Sequence, residues 1–230
     1  MSVTLSPILA IDIWSDVMCP WCIIGYKQLE TALGTLEGEI AAEIRWRPFE
    51  LNPDMATEGE DSGAHLARKY GRTAQQAADA RSRMSELAEA AGYSFRYTGA
   101  GEPPAARLWN TFLAHKLLAH TLRAHGPAAQ TRLKLALFDA HFQQRRNVSD
   151  RAVLTEIYAD VGLPAYEAEI AFDDPVLAEL VRAEETQALD LNITGVPAMV
   201  VGGRFLIPGA QDPETYTSAL RRAVERGMAA

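Results

Sequence analysis

The sequence predicts an α/β domain interrupted by a large all-α insertion. Three observations carry this. Residues 8–49 read as strand, helix, strand. From 52 to 173 helical patterns follow one another with no convincing strand. From 174 to 230 the chain returns to mixed structure. At 230 residues it has room for one large domain carrying such an insertion. The predicted division is a discontinuous α/β domain, 1–51 plus 174–230, around a helical domain, 52–173.

Each element has a local reason. Residues 8–14, ILAIDIW, are mostly apolar and β-branched, which suits a strand covered on both faces. Residues 19–36 read as a helix with Pro20 at its first position, where the missing N–H is no loss. Residues 43–49, EIRWRPF, alternate as a second strand that ends near Pro48. Two strands around one helix imply parallel pairing by a right-handed crossover. In the insertion, 64–71 looks helical. The helix at 73–91 has Thr73 and Gln76 in capping-box spacing and Gly92 as its stop. GAGEPPAA is a loop. Residues 107–124 form a strong amphipathic pattern through Leu108, Phe112, Leu118 and Leu122, and 128–144 and 150–161 give two more helices. Asp174-Pro175 then opens a helix to about residue 191, with Asp174 as cap. Strands at 198–201 and 205–207 flank a Gly202-Gly203 turn, and Asp212-Pro213 opens a last helix that stops at Gly227.

Composition narrows the class. Hydrophobic residues make up 48% and charged residues 23%, the balance of an ordinary soluble globular protein. The formal net charge of -8 disfavours a nucleic-acid or anionic-membrane binder, which needs a basic face. The opening stretch lacks a basic segment, and Pro7 and Asp12 interrupt its apolar run. No run approaches the roughly 18 apolar residues of a membrane span. The expectation is a cytoplasmic protein, in which structural disulfides are rare.

Against that background the 2 cysteines stand out, because both lie in one helical turn, Cys19-Pro20-Trp21-Cys22. With Cys19 at the helix N-cap, the two sulfurs share a face, and their Cα atoms fall about 5–6 Å apart, within disulfide reach. Pro20 offers no N–H, so the amides of Trp21 and Cys22 are the expected donors to the Cys19 sulfur. Those donors and the helix dipole favour a thiolate there. Cys19 is then the nucleophile, and Cys22, one turn deeper, resolves the mixed disulfide. A C-x-x-C beside a βαβ pattern favours redox chemistry over a half-complete zinc site or an inert structural pair. No metal site is expected. His115, His120 and His125 recur every five residues, which spreads them around a helix.

The motifs DVMCPWCIIGYKQLE, WRPFELNP, NTFLAHKLL, ITGVPAMVV and GAQ resemble the FrnE-like branch of the DsbA family of thiol–disulfide oxidoreductases, over most of the chain and in the same order. The resemblance implies a thioredoxin-like fold interrupted by a helical domain. It also implies a cis peptide at Val196-Pro197, opposite the thiols, where the backbone of Val196 pairs with an extended substrate strand. Its partners would be proteins or peptides bearing thiols or disulfides, with no nucleic acid and no membrane. No bound cofactor is expected, and glutathione is a candidate redox co-substrate. Some FrnE-like proteins carry a second cysteine pair near the C-terminus; this chain has none. A related branch holds glutathione-dependent 2-hydroxychromene-2-carboxylate isomerases and kappa-class glutathione transferases, which typically place serine where Cys19 stands. That activity, and a redox-silent peptide-binding module, are the alternatives.

Supporting residues have competing readings. Asp16 either tunes the thiols or is a solvated loop acid. Asp12 lies beneath the pair or faces a polar partner. Pro20 and Trp21 set the redox balance, and Trp21 offers substrates an apolar contact. Asn52, Arg47 and Gln211 are candidates for holding a glutathione or peptide backbone, with capping and turn roles as the alternative for Asn52 and Gln211. Trp46 is expected to be half-buried strand packing, and Trp109 and Phe112 helix packing.

Overall fold

The computed structural model describes residues 6–71 and 73–229. The outer domain limits at residues 1 and 230, and the reading of the first five residues, lie outside the described residues. The chain runs β1 (Ile8–Ser15), α1 (Pro20–Thr35), β2 (Ala41–Pro48), β3 (Glu60–Asp61), α2 (Ser62–Tyr70), α3 (Ala74–Ala90), β4 (Arg107–Leu108), α4 (Phe112–Phe142), α5 (Arg151–Asp160), α6 (Ala165–Asp173), α7 (Pro175–Asp190), β5 (Ala198–Val201), β6 (Phe205–Pro208) and α8 (Pro213–Glu225). Four strands form one sheet in the order β2-β1-β5-β6. β1 and β2 are parallel, from Ile8 opposite Ala41 to Ser15 opposite Pro48. β5 runs antiparallel to both β1 and β6. Gly202 and Gly203 turn between them with φ of 58° and 69°, angles that only glycine adopts without strain.

Alternation along β1 explains the layering. Leu9, Ile11 and Ile13 point to a core shared with α1 and α8 through Ile23, Tyr26, Leu29, Tyr216 and Leu220. Trp14 points the other way and packs with Ala188 of α7, Ala198 and Val200. A second large cluster joins Leu117, Leu133, Leu137, Leu154, Tyr158 and Phe172 of the helical segment. Val17 and Met18, which lead into α1, belong to that cluster. α7 contributes Leu177 and Val181 to the helical cluster and Ala188 to the sheet. The thiol-bearing turn therefore lies where sheet and helices meet.

Three details differ from the sequence reading, and one break agrees with it. The helix expected at 107 begins at Phe112, because Leu108 and Arg107 pair with Glu60 and Asp61 in a two-stranded ribbon. Asn110 then stops the ribbon by accepting a hydrogen bond from the Phe112 amide at 2.9 Å. The segment predicted to lack strands thus holds this short pair. Helix α6 carried no start signal: its N-cap is Pro164, which offers no side-chain bond. α4 is one element broken at Gly126, where φ 79 and ψ 179 are not helical, matching the division expected between 124 and 128. Trp46 is 2% exposed rather than half-buried. Gln130 of α4 covers the free edge of β2 there, accepting from the Trp46 amide at 2.8 Å and donating to its carbonyl at 2.8 Å. An unpaired strand edge would otherwise be a site for pairing with another chain.

Candidate active site

Pro20 starts α1, which leaves Cys19 as N-cap with φ -85 and ψ 112. Both cysteines are free thiols, Cys19 3% exposed and Cys22 fully buried. Trp21 between them is 43% exposed, so the surface above the pair carries one large apolar side chain. Gly25, on the next turn of α1, permits close approach of the returning chain. A Cβ there would stand 3.2 Å from the Pro197 ring and 3.2 Å from the Ala210 methyl. The Val196-Pro197 peptide is cis, and the Cys19 thiol donates toward the Val196 carbonyl at 3.5 Å.

That contact corrects one expectation. No amide makes a full capping hydrogen bond to the Cys19 sulfur: the Cys22 N–H bonds the Cys19 carbonyl at 3.1 Å, and its pull on the sulfur, though it lowers the thiol as expected, is outweighed. The Cys19 thiol is pushed well above its ordinary value, first by its hydrogen bond to Cys22, then by burial, and also by the charge of Asp16. Cys22 lies below its ordinary value. Burial opposes this, but the Cys19 thiol, the Ser15 hydroxyl, the Lys134 ammonium and the Asp16 amide together outweigh burial. When the pair loses a proton, the deeper sulfur is the one favoured to carry the charge.

Lys134 went unnoticed in the sequence. It is fully buried, its Nζ donates to the Ser15 carbonyl at 3.3 Å, and it faces the rings of Trp46 and Phe138 at 5.3 and 5.0 Å. Burial lowers its pKa to about 8, against the pull of Cys22, Asp16 and Cys19. Asp16 is fully buried, so the solvated-loop alternative fails. Its carboxylate accepts from the amides of Met18 at 3.3 Å and Leu51 at 2.8 Å, and His115 Nε2 stands 3.8 Å away. Burial raises the Asp16 carboxyl, yet His115, the Leu51 amide and Lys134 bring it below the usual range. Asp16, Lys134, Ser15 and His115 thus form a buried polar floor under the two sulfurs.

Other predicted residues are engaged elsewhere. Asp12 does not underlie the thiols; it pairs with Arg47 at 2.7 Å, and Arg47 also pairs with Glu184. Asn52 accepts from Lys69 at 3.0 Å. Gln211 donates its side chain to the Pro208 carbonyl at 2.6 Å, an ordinary turn role. Trp109 lies before α4 and donates its amide to the Met18 sulfur at 3.0 Å. Phe112 supports the Arg182 guanidinium 4.1 Å above its ring.

Arg182 in turn pairs with Glu50. Burial raises the Glu50 carboxyl to about 7, opposed by Arg182. Between the ordinary glutamate value of 4.5 and about 7, the folded chain therefore holds a proton that the unfolded chain has shed. Stability should fall as pH rises through that window. Glu50→Gln is expected to flatten this part of the curve, measured by denaturant unfolding across it. An unchanged slope would show that Glu50 ionises normally.

A family model for the DsbA-like thioredoxin domain matches residues 10–221. This chain belongs to the DsbA-like thioredoxin domain family. A Streptomyces coelicolor structure described as a probable DsbA oxidoreductase is 31% identical, with a TM-score of 0.82 over 94% of this chain and 90% of that one. Two less similar solved structures share the fold. A 2-hydroxychromene-2-carboxylate isomerase is 13% identical, with a TM-score of 0.65 over 95% of this chain and 97% of its own. The cytosolic disulfide reductase DsbM from Pseudomonas aeruginosa, solved with glutathione, is 18% identical, with a TM-score of 0.61 over 94% and 99%. Among the described residues, no helix of this DsbA-like chain is long and apolar enough to cross a membrane.

Proposed function

We infer that this DsbA-like protein is a thiol–disulfide oxidoreductase of the FrnE-like branch, working in the cytoplasm through Cys19 and Cys22. The observation that carries this is the pair itself: two free thiols one turn apart at the start of α1, each shifting the other's acidity, beside a buried lysine. The arrangement supports a specific order of events. Once the pair has lost one proton, Cys19 turns its remaining proton from the Val196 carbonyl to the Cys22 thiolate. Cys19, beside exposed Trp21, then attacks a substrate disulfide RS–SR′, forming Cys19–S–S–R and releasing R′S⁻. The leaving thiolate takes the proton from Cys22. Cys22 attacks the Cys19 sulfur, closes the Cys19–Cys22 disulfide and releases RS⁻. Two glutathione molecules restore the dithiol and leave as glutathione disulfide. The same steps in reverse oxidise a dithiol client.

Val196 and Pro197 form the docking edge in this reading, with the Val196 backbone offered to an extended peptide. The isomerase alternative is less well supported. A cleft of about 290 Å³ between β2, α4 and α7 is lined by Trp46, Arg47, Gln130, Leu180 and Glu184, and includes neither thiol. The buried second sulfur has no task in an isomerase that needs only one.

The test is redox equilibration in defined glutathione buffers, followed by acid trapping and mass spectrometry, beside insulin reduction. The expected result is a two-electron transition between dithiol and disulfide, with insulin reduced at catalytic concentrations. A chain that never forms the Cys19–Cys22 bond refutes the assignment.

A further inference from the structure

The sequence reading separated the histidines; the structure brings two of them together. His120 and His125 lie in the first half of α4, which breaks at Gly126. Glu167 of α6, the helix without a start signal, reaches both. Its Oε2 is 3.4 Å from His120 Nε2 and 2.5 Å from His125 Nε2. The Tyr158 hydroxyl donates to the same carboxylate at 3.1 Å, fixing its orientation. The three ligand-capable atoms all lie within 4.8 Å of one another.

We propose that His120, His125 and Glu167 bind a divalent transition-metal ion of the zinc class, clipping α4 to α6. Two imidazoles and one carboxylate are the donor set such ions prefer, whereas calcium and magnesium take oxygen donors. Bonds of about 2.0–2.2 Å in a tetrahedron place neighbouring ligands roughly 3.4 Å apart. The His120–Glu167 separation of 3.4 Å already fits. The His125 contact has to open by less than an ångström, on a ring whose side chain is 26% exposed. Three protein ligands leave one position for water. A carboxylate held by a tyrosine hydroxyl is the kind of outer support that metal ligands ordinarily have.

The thiols would also bind zinc, so the test removes them. Zinc sulfate is titrated by calorimetry into the full-length Cys19→Ser/Cys22→Ser chain, and cobalt(II) is followed by visible absorption. The expected result is one ion per chain, a tetrahedral cobalt spectrum and a raised melting temperature. Affinity should fall by more than about tenfold in His125→Ala and in Glu167→Gln. Glu167→Gln keeps the size of the side chain and an acceptor for Tyr158, so its loss of binding reports ligation rather than unfolding. No binding to the parent chain, or full-strength binding to Glu167→Gln, overturns the site and leaves a hydrogen-bonded cluster only.

Discussion

Cys19→Ser is expected to abolish disulfide exchange, lowering insulin reduction by at least about a thousandfold. Cys22→Ser is expected to fail differently, by stalling. The difference follows from where the sulfurs lie. Cys22 is fully buried and Cys19 3% exposed, with Trp21 exposed beside it, so an incoming disulfide meets Cys19 first. A serine there presents a hydroxyl that does not ionise near neutrality and cannot enter a disulfide. Without Cys22, the mixed disulfide on Cys19 has no internal thiol to release it, and it should persist as a stable adduct visible by mass spectrometry. Glutathione should release it slowly. The proton route adds a second expectation. In the wild type Cys19 gains its charge by handing its proton to Cys22, whose thiol lies below its ordinary value, so alkylation follows the first ionisation of the pair. In Cys22→Ser that acceptor is gone while burial and Asp16 still raise the Cys19 thiol, and alkylation should begin at higher pH than in the wild type. Equal pH profiles would mean that the two thiols ionise independently.

Much of this site was legible because its signals are local. CPWC at a helix start fixes the pair, and Asp174-Pro175, Asp212-Pro213 and Gly202-Gly203 mark element limits through their own backbone chemistry. The Thr73/Gln76 capping box is present in the structure with both of its bonds. What escaped depends on partners distant in sequence. Asp16 looks like a loop acid until Leu51 and His115 close over it. Trp46 looks half-buried because nothing in EIRWRPF reveals that Gln130 will cover its strand edge. His120 and His125 look dispersed on an ideal helix, and only the break at Gly126 with Glu167 of α6 gathers them. The charge expected on Cys19 was assigned from the helix end alone. The tertiary donors around Cys22 outweigh that local effect.

Lys134 is the strongest case, and it carries the second large prediction. In TRLKLALF it reads as an ordinary polar position of an amphipathic helix, yet it is fully buried beneath the thiols. Its pKa falls from the ordinary lysine value of 10.5 to about 8, chiefly by burial. A lowered lysine binds fewer protons folded than unfolded, so below about 8 the chain bears the whole penalty and between about 8 and 10.5 stability rises with pH. That gap corresponds to about 3 kcal/mol. Lys134→Met fills the same space without a charge, but leaves the Ser15 carbonyl without this donor, a loss of about 1 kcal/mol. Lys134→Met should therefore be more stable at neutral pH by about 2 kcal/mol, and should lose the alkaline rise. The same change should weaken the thiols. Without the ammonium that favours the Cys22 thiolate, the pair should ionise at higher pH and react more slowly at neutrality. Because the reduced form loses that stabilisation, equilibrium with glutathione should move toward the Cys19–Cys22 disulfide. Guanidinium unfolding of the reduced chain at neutral and alkaline pH, beside iodoacetamide kinetics across pH, reads both effects. A variant that is less stable with unchanged thiol acidity would make Lys134 a tether for Ser15 and nothing more. A variant that is firmer but less reactive would show that the buried charge is kept for the sulfurs at a cost to the fold.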